Sequence, residues 1–215
     1  MPFTPALGRP ELTGWYDAAI RVLARERAWR YALLKQVAPR DGEIILDVGC
    51  GTGTFAIMLK KAAPGAHIIG LDPDHHVLAI AADKAARAGA TIDWRHGSAS
   101  DAAQLEGTVD KAVSSLVFHQ VPVSAKCAGI AAMFEAVRSG GEVHIADYAT
   151  QPTGLMRMLF RMTVQMLDGI ADTGANANGA LERILREHQG ADARSAQVFR
   201  AATGAISLFQ ADKRP

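Results

Sequence analysis

The chain has 215 residues, enough for one domain with a full core, and its 49% hydrophobic and 21% charged residues are ordinary for a soluble globular protein. A formal net charge of +1 argues against the strong positive field of a nucleic-acid binder, and two cysteines, Cys50 and Cys127, give no disulfide framework and fit a reducing cytoplasm. There is no apolar run of about eighteen residues, and "MPFTPALGRPELTGWYD" lacks a basic segment followed by an apolar one, so neither a transmembrane segment nor a signal peptide is expected.

Residues 11–38 read as one or two helices, with Ile20, Leu23, Trp29, Leu33, Leu34 and Val37 at three- and four-residue spacing. After "PRDG" the pattern alternates. "EIILDV" is a short apolar run, the mark of a strand buried on both faces. Thr52–Lys61 reads as a helix, "HIIGLD" as a strand, Asp74–Arg87 as an alanine-rich helix stopped by Gly89, and "TIDWR" as a third strand. "DKAVSSLVF" follows as a fourth strand, Val121–Arg138 as a helix, and "EVHIADY" as a fifth strand. Strands separated by helices of this length imply parallel pairing with helices on both faces. Gly154–Ile170 then reads as one strongly apolar helix, "DTGANANGA" as a flexible loop and Leu181–His188 as a short helix. "SAQVFRAATGAISLFQADK" reads as an antiparallel hairpin about Gly204. The fold class is therefore α/β: a doubly wound, Rossmann-like sheet of seven strands, mostly parallel, with an antiparallel C-terminal hairpin.

The stretch "ILDVGCGTG" places Gly49, Gly51 and Gly53 between the first strand and a helix, where an open α/β sheet binds ligands. Glycines there allow positive φ and close approach of a ligand to the backbone. A dinucleotide site expects G-x-G-x-x-G, but Thr54 stands where the last glycine belongs. No Lys-Ser/Thr pair follows, so this is no P-loop, and Asp47 would repel a polyphosphate. A carboxylate suits a cationic ligand group. Asp72, ending the second strand, is placed to accept bonds from both hydroxyls of a ribose. A riboside with an amino-acid-like tail fits better than a nicotinamide dinucleotide.

With "GLDPD" after it, this stretch resembles the first two motifs of the class I S-adenosylmethionine-dependent methyltransferases, nearest to the branch of ubiquinone and menaquinone C-methyltransferases. The resemblance covers residues 40–150 well. It implies one methyltransferase domain over 1–215: an N-terminal helical cap (1–38), a cofactor-binding core (40–150), a helical substrate or lid insertion (151–192) and the hairpin (196–213). It further implies that Asp47, Gly49, Cys50, Gly51, Gly53, Asp72, Pro73, Ser98, Ala99 and Ser115 bind S-adenosylmethionine, with S-adenosylhomocysteine as product. Gly49, Gly51 and Gly53 would underlie its methionine part, Asp47 would orient its amino group, and Asp72 would take the ribose. In "HGSASD", Ser98 replaces the usual aspartate of the adenine motif, which weakens the expected side-chain bond; Asp101 reads as a substitute or as a solvated helix start.

Three catalytic candidates follow: His119 after the fourth strand, Tyr16 in the N-terminal helix beside Trp15, and Asp147 ending the fifth strand next to Tyr148. Each has a plain alternative as a packing, capping or turn residue. His144, inside a strand, reads as a satisfied core histidine, and His75 and His76 as neighbours of the ribose or of solvent. The seven histidines form no metal-ligand pattern, so no metal is expected. The segment "GLMRMLFRMTVQMLDGI" carries more apolar residues than one face needs. It is a buried helix, a Met-lined pocket for a lipophilic acceptor or a homodimer face. The expected function is methyl transfer to a small acceptor, lipophilic on the second of those readings. An adenosyl-binding protein without catalysis is the alternative, and an NAD-type oxidoreductase is disfavoured by the glycine spacing.

Overall fold

The computed structural model describes residues 26–187 and 191–213. Strands β1 (Ile44–Val48), β2 (His67–Asp72), β3 (Asp93–His96), β4 (Val109–Ser115), β5 (Val137–Tyr148), β6 (Ala191–Ala201) and β7 (Gly204–Lys213) form one sheet in the order β3-β2-β1-β4-β5-β7-β6. β1 to β5 pair in parallel, and β7 runs antiparallel to both β5 and β6. The chain steps outward from β1 to β3, then returns to β4 on the other side of β1. That reversal opens a crevice beyond the carboxyl ends of β1 and β4.

The apolar runs become strands because both faces of the sheet are covered. On one face Leu46, Val48 and Ile69 pack with Ile130 and Met133 of a helix spanning Val123–Ala136, and with Leu181 and Leu185 further on. On the other, Ile45 and Ile68 pack with Trp29 and Leu33 of α1 (Glu26–Val37) and with Phe55 and Leu59 of α2 (Thr54–Ala62). α3 (His75–Arg87) starts with Asp74, whose carboxylate accepts the His76 amide at 2.7 Å and so caps the helix. The helix Val123–Ala136, α4, ends two residues before the expected Arg138, and β5 begins at once. Gly140, at φ +74, and Gly141 lie inside β5, beside a register shift between Val109 and Lys111.

The segment after β5 departs from expectation twice. Gly154–Ile170 is not one helix: α5 (Gly154–Met162) stops at Thr163 (φ −115°, ψ −80°), and α6 (Val164–Asp168) follows. Thr163 Oγ1 donates to the Leu159 carbonyl at 2.7 Å, and the bend lets both Phe160 and Val164 reach the core. The stretch expected as a loop forms a helix, α7 (Ile170–Ala177), before α8 (Ala180–Glu187). Its propensity is poor, but buried Thr173 bonds the Gly169 carbonyl and buried Asn176 donates to the Tyr148 carbonyl at 2.8 Å. Tertiary bonds override propensity there.

Candidate active site

The glycine loop hangs from β2: the amides of Gly49 and Cys50 both donate to the Leu71 carbonyl, at 2.8 and 3.1 Å. Gly49, Gly51 and Gly53 all have positive φ (+67, +51 and +70), but for different neighbours. A Cβ at Gly49 would lie 2.3 Å from Val117 Cγ2, and one at Gly53 would lie 2.5 Å from the Trp94 ring. A Cβ at Gly51 would meet nothing within 4 Å, because that residue faces the crevice. The crevice is a cleft of about 260 Å³ whose lining includes Arg30, Gly51, Asp72, Ser115, Leu116 and Gln120.

Asp72 ends β2 in the cleft wall. Its Oδ2 accepts the Gly51 amide at 2.8 Å and its Oδ1 the Asp74 amide at 3.0 Å. Each oxygen keeps a lone pair for a ligand hydroxyl. Asp47 lies behind the loop, fully buried; among the described residues no donor makes a well-formed hydrogen bond to its oxygens, and the Ala56 amide at the start of α2 reaches it only weakly. Burial pushes its carboxyl up to about 7; the Arg30 guanidinium pulls the other way, and the Asp72 charge adds to the rise. Arg30 is itself held, its Nε on Glu26 Oε1 at 2.8 Å and its guanidinium 4.9 Å from the Trp29 ring centroid. Cys50 is buried, and burial with the Asp47 and Asp72 charges pushes its thiol far up, so it is no nucleophile.

Ser115 ends β4 in the lining. After it Leu116 holds φ +57, unusual for a side chain of its size, with its amide donating to the Ala146 carbonyl at 2.8 Å. Ser98 and Ala99 do not line the cleft. The Ser98 amide and hydroxyl both donate to Asp101 Oδ2 at 2.7 Å, so Asp101 secures the start of a 3-10 turn, Ala99–Leu105. Pro73 is exposed and outside the lining; its carbonyl meets His96 Nε2 at 3.0 Å, and the His96 ring stacks on His75 at 3.6 Å.

His119 and Asp147 come together, though not at the cleft surface. His119 Nδ1 lies 2.7 Å from Asp147 Oδ1, and both residues are buried. Asp147 also accepts the amides of Phe118 and Tyr148 at 2.7 Å and of His119 at 3.3 Å. An acceptor with that many N–H partners assigns the imidazole proton to Nδ1, so Nε2 accepts from Gln120 Nε2 at 3.2 Å. Gln120 lines the cleft and His119 stands behind it. Tyr16 and Trp15 lie outside the described residues. His144 bonds Gln36 at 3.1 Å and Glu142 at 3.0 Å, a satisfied core histidine. Arg30 and Gln120 went unread in the sequence. Gln120 had one available signal, its position next to His119 at a strand tip.

Two observations test the fit of S-adenosylmethionine. The buried Asp47 carboxylate, behind the loop whose Gly51 faces the cleft without a side chain, suits an ammonium, and the half-used Asp72 carboxylate suits vicinal hydroxyls. The residues present fit the group, with Ser98 the exception on the adenine side.

Residues 45–141 match a family model described as a methyltransferase domain. Among curated relatives, a demethylmenaquinone methyltransferase of Deinococcus radiodurans is 29% identical over 70% of this chain and 62% of its own length. A ubiquinone biosynthesis O-methyltransferase of Aromatoleum aromaticum is 35% identical over 60% of this chain and 55% of its own. The chain thus spans about three fifths of such relatives. Among solved structures, magnesium protoporphyrin IX methyltransferase from Synechocystis, with bound S-adenosylhomocysteine, superposes with a TM-score of 0.64 at 20% identity, over 94% of this chain and 84% of that one. An S-adenosylmethionine-dependent methyltransferase of Methanosarcina mazei gives 0.65 at 17% identity, over 84% and 97%. These structural likenesses speak for the fold.

Proposed function

We propose that this chain, whose residues 45–141 match a methyltransferase domain, is an S-adenosylmethionine-dependent enzyme of class I that moves a methyl group to a small, lipophilic acceptor. The observation that carries the reading is the buried Asp47 carboxylate behind the glycine loop, together with Asp72. When bound, S-adenosylmethionine supplies an electrophilic methyl carbon on a sulfonium. This chain's residues bind and orient it: Asp47 faces the ammonium, the loop Gly49–Gly53 with Cys50 carries the methionine part, Asp72 takes the ribose, and Ser115 closes the side. The adenine end would extend past the cleft lining towards Pro73, Ser98 and Ala99, of which the Ser98 amide and the Pro73 carbonyl are already engaged within the protein. His119 and Asp147 position Gln120 at the cleft, and Tyr16, outside the described residues, is kept as the third catalytic candidate. Residues 151–192 serve as the acceptor-side insertion. The lipophilic acceptor draws support from the quinone-pathway names of the relatives.

Calorimetry with S-adenosylhomocysteine and with NAD tests the binding half: affinity for the first alone is expected, and the reverse would refute the reading. Incubation with methyl-labelled cofactor and a cell extract tests the transfer half. Label should enter the lipid fraction, and His119→Ala should slow it while leaving S-adenosylhomocysteine affinity in place; label confined to water-soluble products would refute the lipophilic acceptor.

A further inference from the structure

The helix α5 has two apolar faces, and among the described residues only one of them is packed. Phe160 is fully buried, 5.2 Å from the Tyr148 ring, and Val164 follows it into the core. Leu155, Met158, Met162 and Met166 instead stand in solvent, 57%, 49%, 65% and 80% exposed. The three- and four-residue spacing of Leu155, Met158 and Met162 makes one stripe on α5, and Met166 stands exposed on α6 beyond the break at Thr163. Beside it, Arg157, Met158, Arg161 and Met162 line an open groove. α5 carries no acid and α6 only Asp168, at its last residue, and among the described residues neither arginine meets a carboxylate. Pro152, just ahead of the helix, borders a second open groove with Val198, 47% exposed, and Phe199. A large, contiguous exposed apolar face marks an interaction site.

We propose that α5 and the start of α6 are a docking face for an anionic lipid surface. The helix lies in the interface plane, Leu155, Met158, Met162 and Met166 dip among the acyl chains, and Arg157 and Arg161 meet lipid phosphates. Charge selects this occupant over a second copy of the chain. Lipid phosphates supply an anion to each of Arg157 and Arg161, whereas a second copy brings the same two cations and, in these helices, a single acid, Asp168 at the end of α6. The proposal stands without the methyl-transfer reading, since it uses none of the cleft residues.

Flotation of the full chain with vesicles tests it. Vesicles of phosphatidylcholine with an equal part of phosphatidylglycerol should carry the protein up, vesicles of phosphatidylcholine alone should carry much less, and added salt should release it. Arg157→Glu with Arg161→Glu should weaken partition about tenfold or more. Met158→Ser with Met162→Ser should weaken it without lowering the melting temperature, because those side chains are already in water. Failure of the wild-type chain to float with anionic vesicles would overturn the proposal, as would a stable dimer in sedimentation that Met162→Ser dissociates. Equal partition to both vesicle types would overturn the charge argument.

Discussion

Burial holds the Asp47 carboxyl at about 7 against an ordinary 3.8, which couples three equilibria at one residue. Below the ordinary value the folded and unfolded chains are both protonated there, and Asp47 costs nothing. As pH rises from 3.8 towards 7 the unfolded chain ionises first, so stability falls, by about 4 kcal/mol for a shift of about three units. Asp47→Asn should therefore raise the melting temperature of the ligand-free protein at about pH 8 and leave it nearly unchanged at about pH 4. The proposed ammonium partner reverses the preference, because a cation favours the ionised carboxylate. Wild-type affinity for S-adenosylhomocysteine should then rise about fivefold from pH 6 to pH 7 and about twofold more by pH 8, and level off above. The Asn variant should bind more weakly, with no such slope. Calorimetry across that range decides it, and a flat wild-type profile would remove Asp47 from the ligand.

At the scale of elements, the turn from β1 to α2 carries two glycines whose replacement should fail in different ways. At Gly49 a methyl would overlap Val117 and also sit at φ +67, so Gly49→Ala should unfold or severely destabilise the chain. Adding Val117→Ala removes both Cγ atoms and should recover much of that loss, leaving the strain of about 1–2 kcal/mol. Gly51→Ala carries only such strain, since its methyl enters open space, but the methyl occupies the cleft. Its melting curve should move little while S-adenosylhomocysteine affinity falls. Equal losses of stability for the two single variants would refute this division. This turn was legible in the sequence because local pattern determines it: an apolar run, alternate glycines and two acids at strand ends. The hairpin about Gly204 was legible for the same reason. The break at Thr163 and the helix α7 were not, because bonds from Leu159, Gly169 and Tyr148 decide them and no periodicity records those. The site divides likewise. Asp47, Asp72 and the glycines lie near one another in the chain, whereas Arg30 and Gln120 arrive from α1 and the β4 tip only when the sheet is assembled.

For the molecule as a whole, the question is what ties the helices after β5 to the sheet that binds the ligand. Lys126 of α4 is fully buried, and its Nζ donates to the Val121 carbonyl and, at 3.0 Å, to the Asp172 carbonyl. One side chain thus joins a core helix, the loop after β4 and the first turn of α7. Burial lowers its pKa, while the Asp147 charge opposes that shift, so the cation is also electrostatically linked to the His119–Asp147 pair. Hydrogen bonds to a charged group are worth about 1.5–3 kcal/mol each, and removing the ammonium leaves two carbonyls without it. Lys126→Met keeps the aliphatic bulk and removes the donor together with its charge. Amides of residues 170–177 should then exchange with solvent about tenfold to a hundredfold faster, as a local opening would require. Amides of β1, β4 and β5 should slow or quicken only with global stability. If segment 170–177 kept wild-type protection while the whole sheet lost it, Lys126 would be a packing residue of the core and not the tether of α7.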